Sequence, residues 1–507
     1  MVDSSELHRP GRAFEQIASS PTKFHLLLAA YFVLHCFIRL WVSPTADLDE
    51  SEQLLATQKL AWGYGSQPPL YTWLLYPLIK WLGPSILPLT LLKNPLLFGI
   101  FSVTYHNARL LARSHWLAVL ATVSLFFVPQ LSWESQRDLT HTVLVTLFAA
   151  LTFHCFIQLR RQPFLGWYLV TGICVALGVL SKYSFVIFLS GLTGAVLWDR
   201  DWRAALLNRR IWLAIVVAVL ILSPHLSWMF LNKKTSLTAV DSFHLGASLP
   251  WLTAVGHGLK NMLIAVVPHS ALLLLIYAVV CNYTTEPLPK SSAAGDSTTI
   301  LRALGIMFGL VWVSIFLFRV TEFKGRWFTP LLLWLPILLV MKFQSRLTQP
   351  RVNCLLALAF VGALSVMVAV PSRVRLAGVL HRPRELNVSF EKLAAGMTNL
   401  ETPKLIYAHN NWLGGNLKRC FPDAFVFSPF LFFQTNLPPG TNCLVVWDAT
   451  DTNSPHLQIP ERMFKSVNPE AGGLTPHYAE APLWFVPNRQ TRLGYAWVRG
   501  KSTVSSP

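Results

Sequence analysis

The sequence predicts an α-helical polytopic membrane protein that ends in a small extramembrane α/β domain. Charged residues make up 13% of the 507 positions and apolar residues 53%, whereas soluble domains carry about 25% charged residues. About eleven apolar runs are long enough to cross a bilayer. After residue 371 such runs stop and a more polar sequence with short strand-like segments begins.

The basic excess fits a membrane protein. Lys and Arg number 42 and Asp and Glu 24, which gives a net charge of +18. Basic residues gather on the cytoplasmic side of membrane helices and bind anionic lipid or sugar-phosphate groups. Membrane lipids are therefore expected partners, and no nucleic acid is needed to explain the charge.

The first element is a polar segment, residues 1–23, followed by an apolar run over 24–42. The run ends with Arg39 and Trp41 and is followed by Pro44, rather than by a small-residue cleavage site. We therefore expect a retained first helix rather than a signal peptide.

Further apolar runs follow throughout residues 24–371, the predicted transmembrane domain. The stretch 60–83 could hold an additional short or re-entrant helix. The predicted spans are 85–112, 115–132, 138–159, 164–181, 183–199, 211–230, 260–281, 301–319, 325–342 and 351–371.

The loops indicate the orientation. With a cytoplasmic N-terminus, every inner loop is basic, from Arg109 and Arg113 to Arg346 and Arg351. An odd number of spans then places residues 372–507 outside.

The C-terminal segment reads as an α/β domain with a helix over 385–400. Short strands are predicted at 404–409, 424–427, 443–447, 483–486 and 494–498. Cys420 and Cys443 could form a disulfide in an oxidising compartment or remain two free thiols.

Polar motifs gather in the predicted outer loops. They are residues 47–53, 61–71, 133–141, 181–183, 232–257 and 321–327. Charges near the hydrocarbon are costly unless paired or wetted, so we expect one wet cavity at the outer membrane boundary. Singly, Asp47 and Glu52 could be solvated carboxylates, and Lys182 a snorkelling side chain.

Carboxylates and cations together favour group transfer. Lys and Arg bind phosphate, and a carboxylate can accept the proton of an attacking hydroxyl. The combination fits a phosphate-activated donor that is reachable from the outer boundary of a bilayer, which indicates a lipid-linked sugar.

Two motifs carry a family resemblance. The acidic pair Asp49-Glu50 follows the first span, and a Trp-Gly-Tyr-x-x-x-Pro-Pro segment runs from Trp62 to Pro69. In order and spacing, residues 24–342 resemble the family 39-like membrane glycosyltransferases of the dolichyl-phosphate-mannose–protein mannosyltransferase type. This group includes aminoarabinose and galacturonic acid transferases that act on lipid A.

The resemblance implies a C-type glycosyltransferase bundle in the bacterial inner membrane, with a periplasmic active site and a polyprenyl-phosphate sugar donor. It implies that Asp49 is the catalytic carboxylate and that Lys324 or Arg326 binds the donor phosphate. The full expected substrate-binding set is Glu50, Tyr64, Gln67, Glu134, Arg137, Asp138, Lys182, Lys324 and Arg326.

The chain also departs from its relatives. Aminoarabinose transferases carry Glu-Lys before the prolines, where this chain has Ser66-Gln67. We therefore do not expect this chain to use the sugar and the acceptor of those enzymes.

The sequence thus predicts an inverting transferase that moves a single sugar to an envelope lipid, glycan or protein. The alternatives are a lipid-linked sugar transporter or flippase, an oligosaccharide ligase, and a receptor or assembly subunit. No cofactor is expected, although the clustered carboxylates leave a divalent metal possible.

Overall fold

The computed structural model describes residues 20–233, 245, 248–281, 294–397, 402–429, 442–450 and 476–498. A bundle of helices precedes a five-stranded sheet. The helices of the bundle are α1 (Pro21–Val42), α2 (Leu48–Ala56), α3 (Leu70–Leu82), α4 (Ile86–Ala112), α5 (His115–Val123), α6 (Ser135–Arg137), α7 (His141–Arg161), α8 (Leu165–Ser181), α9 (Phe185–Trp198), α10 (Arg200–Leu206), α11 (Ile211–Leu231), α12 (Trp251–Cys281), α13 (Ala294–Phe318), α14 (Gly325–Leu332), α15 (Leu335–Phe343) and α16 (Gln349–Arg375). The C-terminal elements are α17 (Phe390–Met397), β1 (Leu405–Ala408), α18 (Asn411–Cys420), β2 (Phe425–Phe427), β3 (Cys443–Asp448), β4 (His477–Leu483) and β5 (Val486–Val498).

The bundle is that of a multi-pass membrane protein. Within the described residues, seven helices are long and apolar enough to cross a membrane, or up to nine if two bent pairs each count as one span. The predicted spans 164–181 and 183–199 correspond to α8 and α9, which are shorter, with 17 and 14 residues. Helix α3 lies in the stretch 60–83, where an additional short or re-entrant helix was considered. It has 13 residues and is about 20 Å long.

Two predicted spans are broken rather than straight. The helices over 115–127 and 130–137 meet at 77°, and those over 325–332 and 335–346 meet at 47°. Pro129 lies at the first break, and a π-helical turn over Gln130–Glu134 follows it. The segment 130–137, which carries most of the polar residues, is therefore bent away from the axis of the helix that precedes it.

The C-terminal sheet has the strand order β2-β1-β3-β5-β4. The first three strands are parallel, with Leu405 opposite both Phe425 and Cys443. Strands β4 and β5 form an antiparallel hairpin on β3. The predicted strand 483–486 is wrong, because residues 484–485 are the turn of this hairpin. Strand β4 was missed because alanines fill its buried positions, and alanine has little preference for strands.

The two cysteines of this domain are free thiols. Cys443 lies in the buried cluster with Tyr407 and Trp447. Cys420 packs against a different cluster, with Leu413 and Leu417. The disulfide alternative is not formed in this structure.

The sheet domain docks on α2 through hydrogen bonds. The Asn416 side chain accepts from the Ala46 N–H at 2.8 Å and donates to the Ser51 hydroxyl at 3.1 Å. The Thr45 hydroxyl donates to the Val388 carbonyl at 2.7 Å. A Cβ on Gly415 would lie 2.2 Å from the Ser51 carbonyl oxygen, so this close approach requires glycine. Helix α2 is thus held between the bundle and the C-terminal domain.

Candidate active site

Asp49 lies in the first turn of α2, at the centre of the polar loops. Asp47 caps this helix, and Glu50 completes a capping box with it. The Asp49 N–H donates to Asp138 Oδ1 at 2.8 Å. Arg326 Nη1 lies 3.2 and 3.4 Å from the two Asp49 carboxylate oxygens. The side chains of the pair are 22% and 35% exposed, so a ligand can reach both.

Asp138 fixes the start of α2 from a neighbouring segment. It is buried, and burial together with Asp49 and Asp47 raises its carboxyl pKa. Its hydrogen bond is to the backbone of Asp49, so Asp138 does not occupy the Asp49 carboxylate, which pairs with Arg326.

Two further cations lie near Arg326. Lys182, between α8 and α9, donates from Nζ to the Thr142 hydroxyl at 2.9 Å. Burial and the positive charges of Arg326 and Lys324 lower the pKa of Lys182 to about 7. Lys324 directly precedes α14. Three cations from two separate segments therefore lie close to one another, and one of them, Arg326, contacts Asp49.

A polar cavity of about 710 Å³ opens beside Asp49. Asp49 and Glu52 line it from α2, and the C-terminal domain supplies Asn410, Asn411 and Asp448. Burial and the neighbouring Asp49 raise the pKa of Glu52 to about 7. The cavity can hold a polar ligand between the bundle and the C-terminal domain.

A second cavity, of about 440 Å³, is mainly apolar. Phe318, Phe323 and Trp327 contribute to its wall, and Lys182 and Gln67 line it as polar groups. Trp327 adjoins Arg326, whose guanidinium binds Asp49. The ion pair therefore joins a residue that lines the polar cavity to the sequence neighbour of a residue that lines the apolar one.

Glu50 lies in a buried ionic network behind the cavities. It is fully buried, its Oε2 lies 2.5 Å from Arg39 Nη2, and its Oε1 lies 3.4 Å from Lys93 Nζ. Burial alone would raise the pKa of Glu50, but the two cations lower it to about 2. This geometry anchors α2 to α1 and α4.

The remaining residues of the predicted substrate-binding set are Glu134, Arg137, Tyr64 and Gln67. Glu134 and Arg137 form an ion pair at 2.9 Å, each about a third exposed. The Tyr64 hydroxyl donates to the Lys59 carbonyl and accepts from the Ala61 N–H, both at 2.9 Å. It thereby shapes the loop that presents Gln67.

Sequence reasoning missed several groups. Arg39 and Lys93 are charged residues inside apolar helices, which is itself a signal of function or pairing. Glu52 was read as a solvated carboxylate, but it lines the polar cavity. Arg384 lines the same cavity, and nothing in its local sequence marks it. Among the described residues, no group of three or more His, Cys, Asp or Glu side chains could hold a metal.

Comparison with known proteins identifies the family. A family model described as dolichyl-phosphate-mannose-protein mannosyltransferase matches residues 66–228. The lipopolysaccharide core galacturonosyltransferase RgtB of Rhizobium johnstonii is 31% identical over 484 residues, which cover 93% of this chain and 96% of RgtB. The lipopolysaccharide core galacturonosyltransferase RgtA of the same organism is 30% identical, over 94% of this chain and 97% of RgtA.

A solved structure shares the fold. The crystal structure of ArnT from Cupriavidus metallidurans bound to undecaprenyl phosphate matches with a TM-score of 0.59. The match has 13% identity and covers 94% of this chain and 98% of ArnT. The predicted C-type fold and glycosyltransferase class are thereby confirmed. The chain belongs to the family of multi-pass membrane glycosyltransferases that includes the galacturonosyltransferases RgtA and RgtB.

Proposed function

We propose that the protein transfers one sugar, galacturonic acid, from a polyprenyl-phosphate donor to the core or lipid A part of lipopolysaccharide. The observation that carries the proposal is the Asp49–Arg326 pair, which joins a carboxylate of the polar cavity to the residue next to Trp327 of the apolar cavity. The sugar and the core acceptor follow the activity for which the relatives RgtA and RgtB are named.

The apolar cavity suits the donor. Its aromatic and aliphatic wall can take the first isoprene units of a polyprenyl chain by burying apolar surface. Lys182 lines this cavity. Lys324 and Arg326 are the sequence neighbours of two wall residues, Phe323 and Trp327. A phosphate at this point would bind the planar fork of Arg326 and the point charges of the lysines.

The polar cavity suits the acceptor. Asp49 and Glu52 face it from α2, and Asn410, Asn411 and Asp448 face it from strand ends and the start of α18. These groups can hydrogen-bond sugar hydroxyls. The C-terminal domain would thus select the acceptor, while α2 supplies the reacting carboxylate.

The arrangement fits a one-step displacement. The Asp49 carboxylate accepts the proton of an acceptor hydroxyl, and the oxygen forms a bond to the anomeric carbon. The bond from that carbon to the phosphate oxygen breaks, and its electron pair leaves with the polyprenyl phosphate. The cations stabilise the negative charge that develops on the phosphate. Displacement from the opposite face inverts the anomeric centre.

Arg326 would couple donor binding to the activity of Asp49. Its guanidinium lies against both Asp49 carboxylate oxygens. A donor phosphate competes for the same guanidinium and would leave Asp49 free to accept a proton. We place this site on the periplasmic face of a bacterial inner membrane, because the basic loops favour a cytoplasmic N-terminus.

Replacement of Arg326 tests the phosphate site. Arg326→Ala should lower kcat/KM for the polyprenyl-phosphate sugar about 10²–10³-fold, the usual effect of removing one donor from a developing anion. Arg326→Lys should restore part of the rate, because it keeps the charge but loses the fork. Arg489→Ala, a change at an exposed arginine on β5, is the control. Wild-type turnover by Arg326→Ala would remove this residue from the site.

The pH profile tests Lys182. Because its pKa lies at about 7, the free enzyme loses this positive charge as the pH rises through that value. KM for the donor should therefore rise above about pH 7. Lys182→Arg keeps its charge and should abolish this rise, which steady-state kinetics on both sides of the pKa would show. An unchanged profile in the variant would exclude Lys182 as the titrating group.

Cells with and without the protein test the substrate assignment. Mass spectrometry of their lipid A and core oligosaccharides should show one hexuronosyl residue lost when the gene is deleted and restored by the wild-type chain. The Asp49→Asn chain should not restore it. A missing sugar of another mass would overturn the galacturonic acid assignment, and unchanged lipopolysaccharide would overturn the proposed acceptor.

A further inference from the structure

A basic pocket lies far from the candidate active site. It has a volume of about 750 Å³ and is lined by six polar residues of α4, its C-terminal cap and α7: His106, Arg109, Arg113, His154, Gln158 and Arg161. We refer to these six residues as the basic pocket. It shares no lining residue with the cavities at Asp49.

Two helices place the basic pocket at the opposite membrane face. Helix α7 begins at His141, which lies 3.0 Å from the Gln53 amide of α2, and ends at Arg161. Helix α4 likewise passes Lys93, which binds Glu50, before it reaches Arg109. At 1.5 Å per residue, the 21-residue helix from His141 to Arg161 is about 30 Å long, the thickness of the hydrocarbon core.

The charges of the pocket are not neutralised by carboxylates. No Asp or Glu is among its lining residues. Within the part of the chain that the structure describes, no ion pair joins Arg109, Arg113 or Arg161 to a carboxylate; Arg109 Nη1 donates to the Tyr105 hydroxyl at 3.1 Å. The three guanidiniums are exposed. Such a group favours an anion with several oxygens, because arginine binds phosphate in a fork.

The wall of the pocket indicates where that phosphate comes from. Val103, Leu110 and Leu151 line it beside the polar residues. A free phosphate gains nothing from aliphatic side chains, whereas a phospholipid can lay the start of its acyl chains against them. Basic pockets between membrane helices bind anionic headgroups in this way.

We propose that the basic pocket binds the headgroup of an anionic phospholipid from the leaflet opposite the catalytic site. The phosphate lies among Arg109, Arg113 and Arg161, and Gln158 and the two histidines complete the polar wall. The lipid joins the ends of α4 and α7, whose other ends position Lys93 and His141 near α2. It is a structural ligand and takes no part in sugar transfer.

Native mass spectrometry of the delipidated full-length protein tests this site. The probes are cardiolipin and phosphatidylcholine with the same acyl chains. Wild-type protein should retain cardiolipin preferentially. A triple change, Arg109→Gln, Arg113→Gln and Arg161→Gln, should weaken that binding at least about tenfold, because each basic residue near an anionic lipid adds to the binding affinity.

A second triple change provides the matched control. Arg200, Arg203 and Arg209 are exposed and lie in or next to α10. This region is at the same membrane face, because Arg160 packs on Trp202 and Arg210 bonds the Pro163 carbonyl. Changing these three to glutamine removes the same charge and should leave cardiolipin binding within about twofold.

The outcomes separate the possible ligands. Equal losses in both triple variants would show general surface charge and overturn the site, as would wild-type protein that binds both lipids alike. Protection of wild-type protein against thermal unfolding by inorganic phosphate, without preference for cardiolipin, would assign the pocket to a free anion instead. If the pocket triple does not fold, Arg109→Gln and Arg161→Gln are tested singly, and unchanged cardiolipin binding by both would overturn the proposal.

Discussion

Asp49→Asn should reduce sugar transfer by about 10²–10⁴-fold, the usual contribution of a general base. The amide cannot accept the proton of the acceptor hydroxyl. Folding should be little affected, because Asp138 binds the backbone of Asp49 rather than its side chain. The lost pair with Arg326 is partly exposed, and such pairs contribute about 0–1 kcal/mol. Single-turnover transfer by purified protein measures the effect.

Asp423→Asn is the matched control, since it makes the same change at an exposed carboxylate of the C-terminal domain. It should transfer at the wild-type rate. An Asp49→Asn enzyme that transfers at this rate would show that the chemistry uses another base. An Asp49→Asn enzyme that no longer folds would show that the carboxylate is structural.

Glu50→Gln should lower the stability of the protein, whereas Asp49→Asn should lower its activity. The substitution removes the negative charge between Arg39 and Lys93, which are 6% and 2% exposed. Breaking a buried ion pair in this way costs about 3–5 kcal/mol, because the partner charges remain buried without compensation. Thermal unfolding in detergent should show a large decrease in the melting temperature.

Glu134→Gln controls for the loss of a carboxylate elsewhere on the same side. Its pair with Arg137 is about a third exposed and should contribute no more than about 1 kcal/mol. If Glu50→Gln melts like the wild type, the buried network does not anchor α2. Glu50 would then be better explained as a substrate-binding residue.

The sequence predicted the membrane helices because apolar length is a local property. The runs over 24–42 and 351–371 reappear in α1 and α16 with small shifts at their ends. Predicting the breaks was harder. Pro129 and the π-helical turn that follows it lie in a run with enough apolar residues to cross a membrane, so this run was read as straight.

The candidate site was predictable as a set of residue types but not as a geometry. Asp49 and Arg326 were both named from motifs, yet the contact between them joins residues 277 positions apart. The role of Glu50 was also hidden, because its adjacency to Asp49 suggested the same environment. In a helix the two side chains point in directions about 100° apart, so one faces a cavity and the other the buried cations.

In the C-terminal domain, too, local structure could be predicted from the sequence but contacts between distant residues could not. Phe390, Leu393 and Met397 are buried on one face of α17. The helix predicted over 385–400 begins only at Phe390, because residues 385–387 form a separate 3₁₀ turn that contains Leu386, and residues 398–400 lie outside the described part of the chain. The docking of the domain on Ala46 and Ser51 depends on Asn416 and Gly415, whose local sequence gives no sign of a distant partner.

Reaction of the purified full-length protein with galacturonosyl polyprenyl phosphate and an unmodified lipid A–core acceptor tests the central claim most directly. Mass spectrometry and NMR of the product would identify the transferred sugar and its anomeric configuration. We expect one hexuronosyl residue, with the configuration inverted relative to the donor, and product formation about 10²–10⁴-fold slower with Asp49→Asn. A retained configuration, or equal product from wild-type and Asp49→Asn protein, would contradict direct displacement at the Asp49–Arg326 pair.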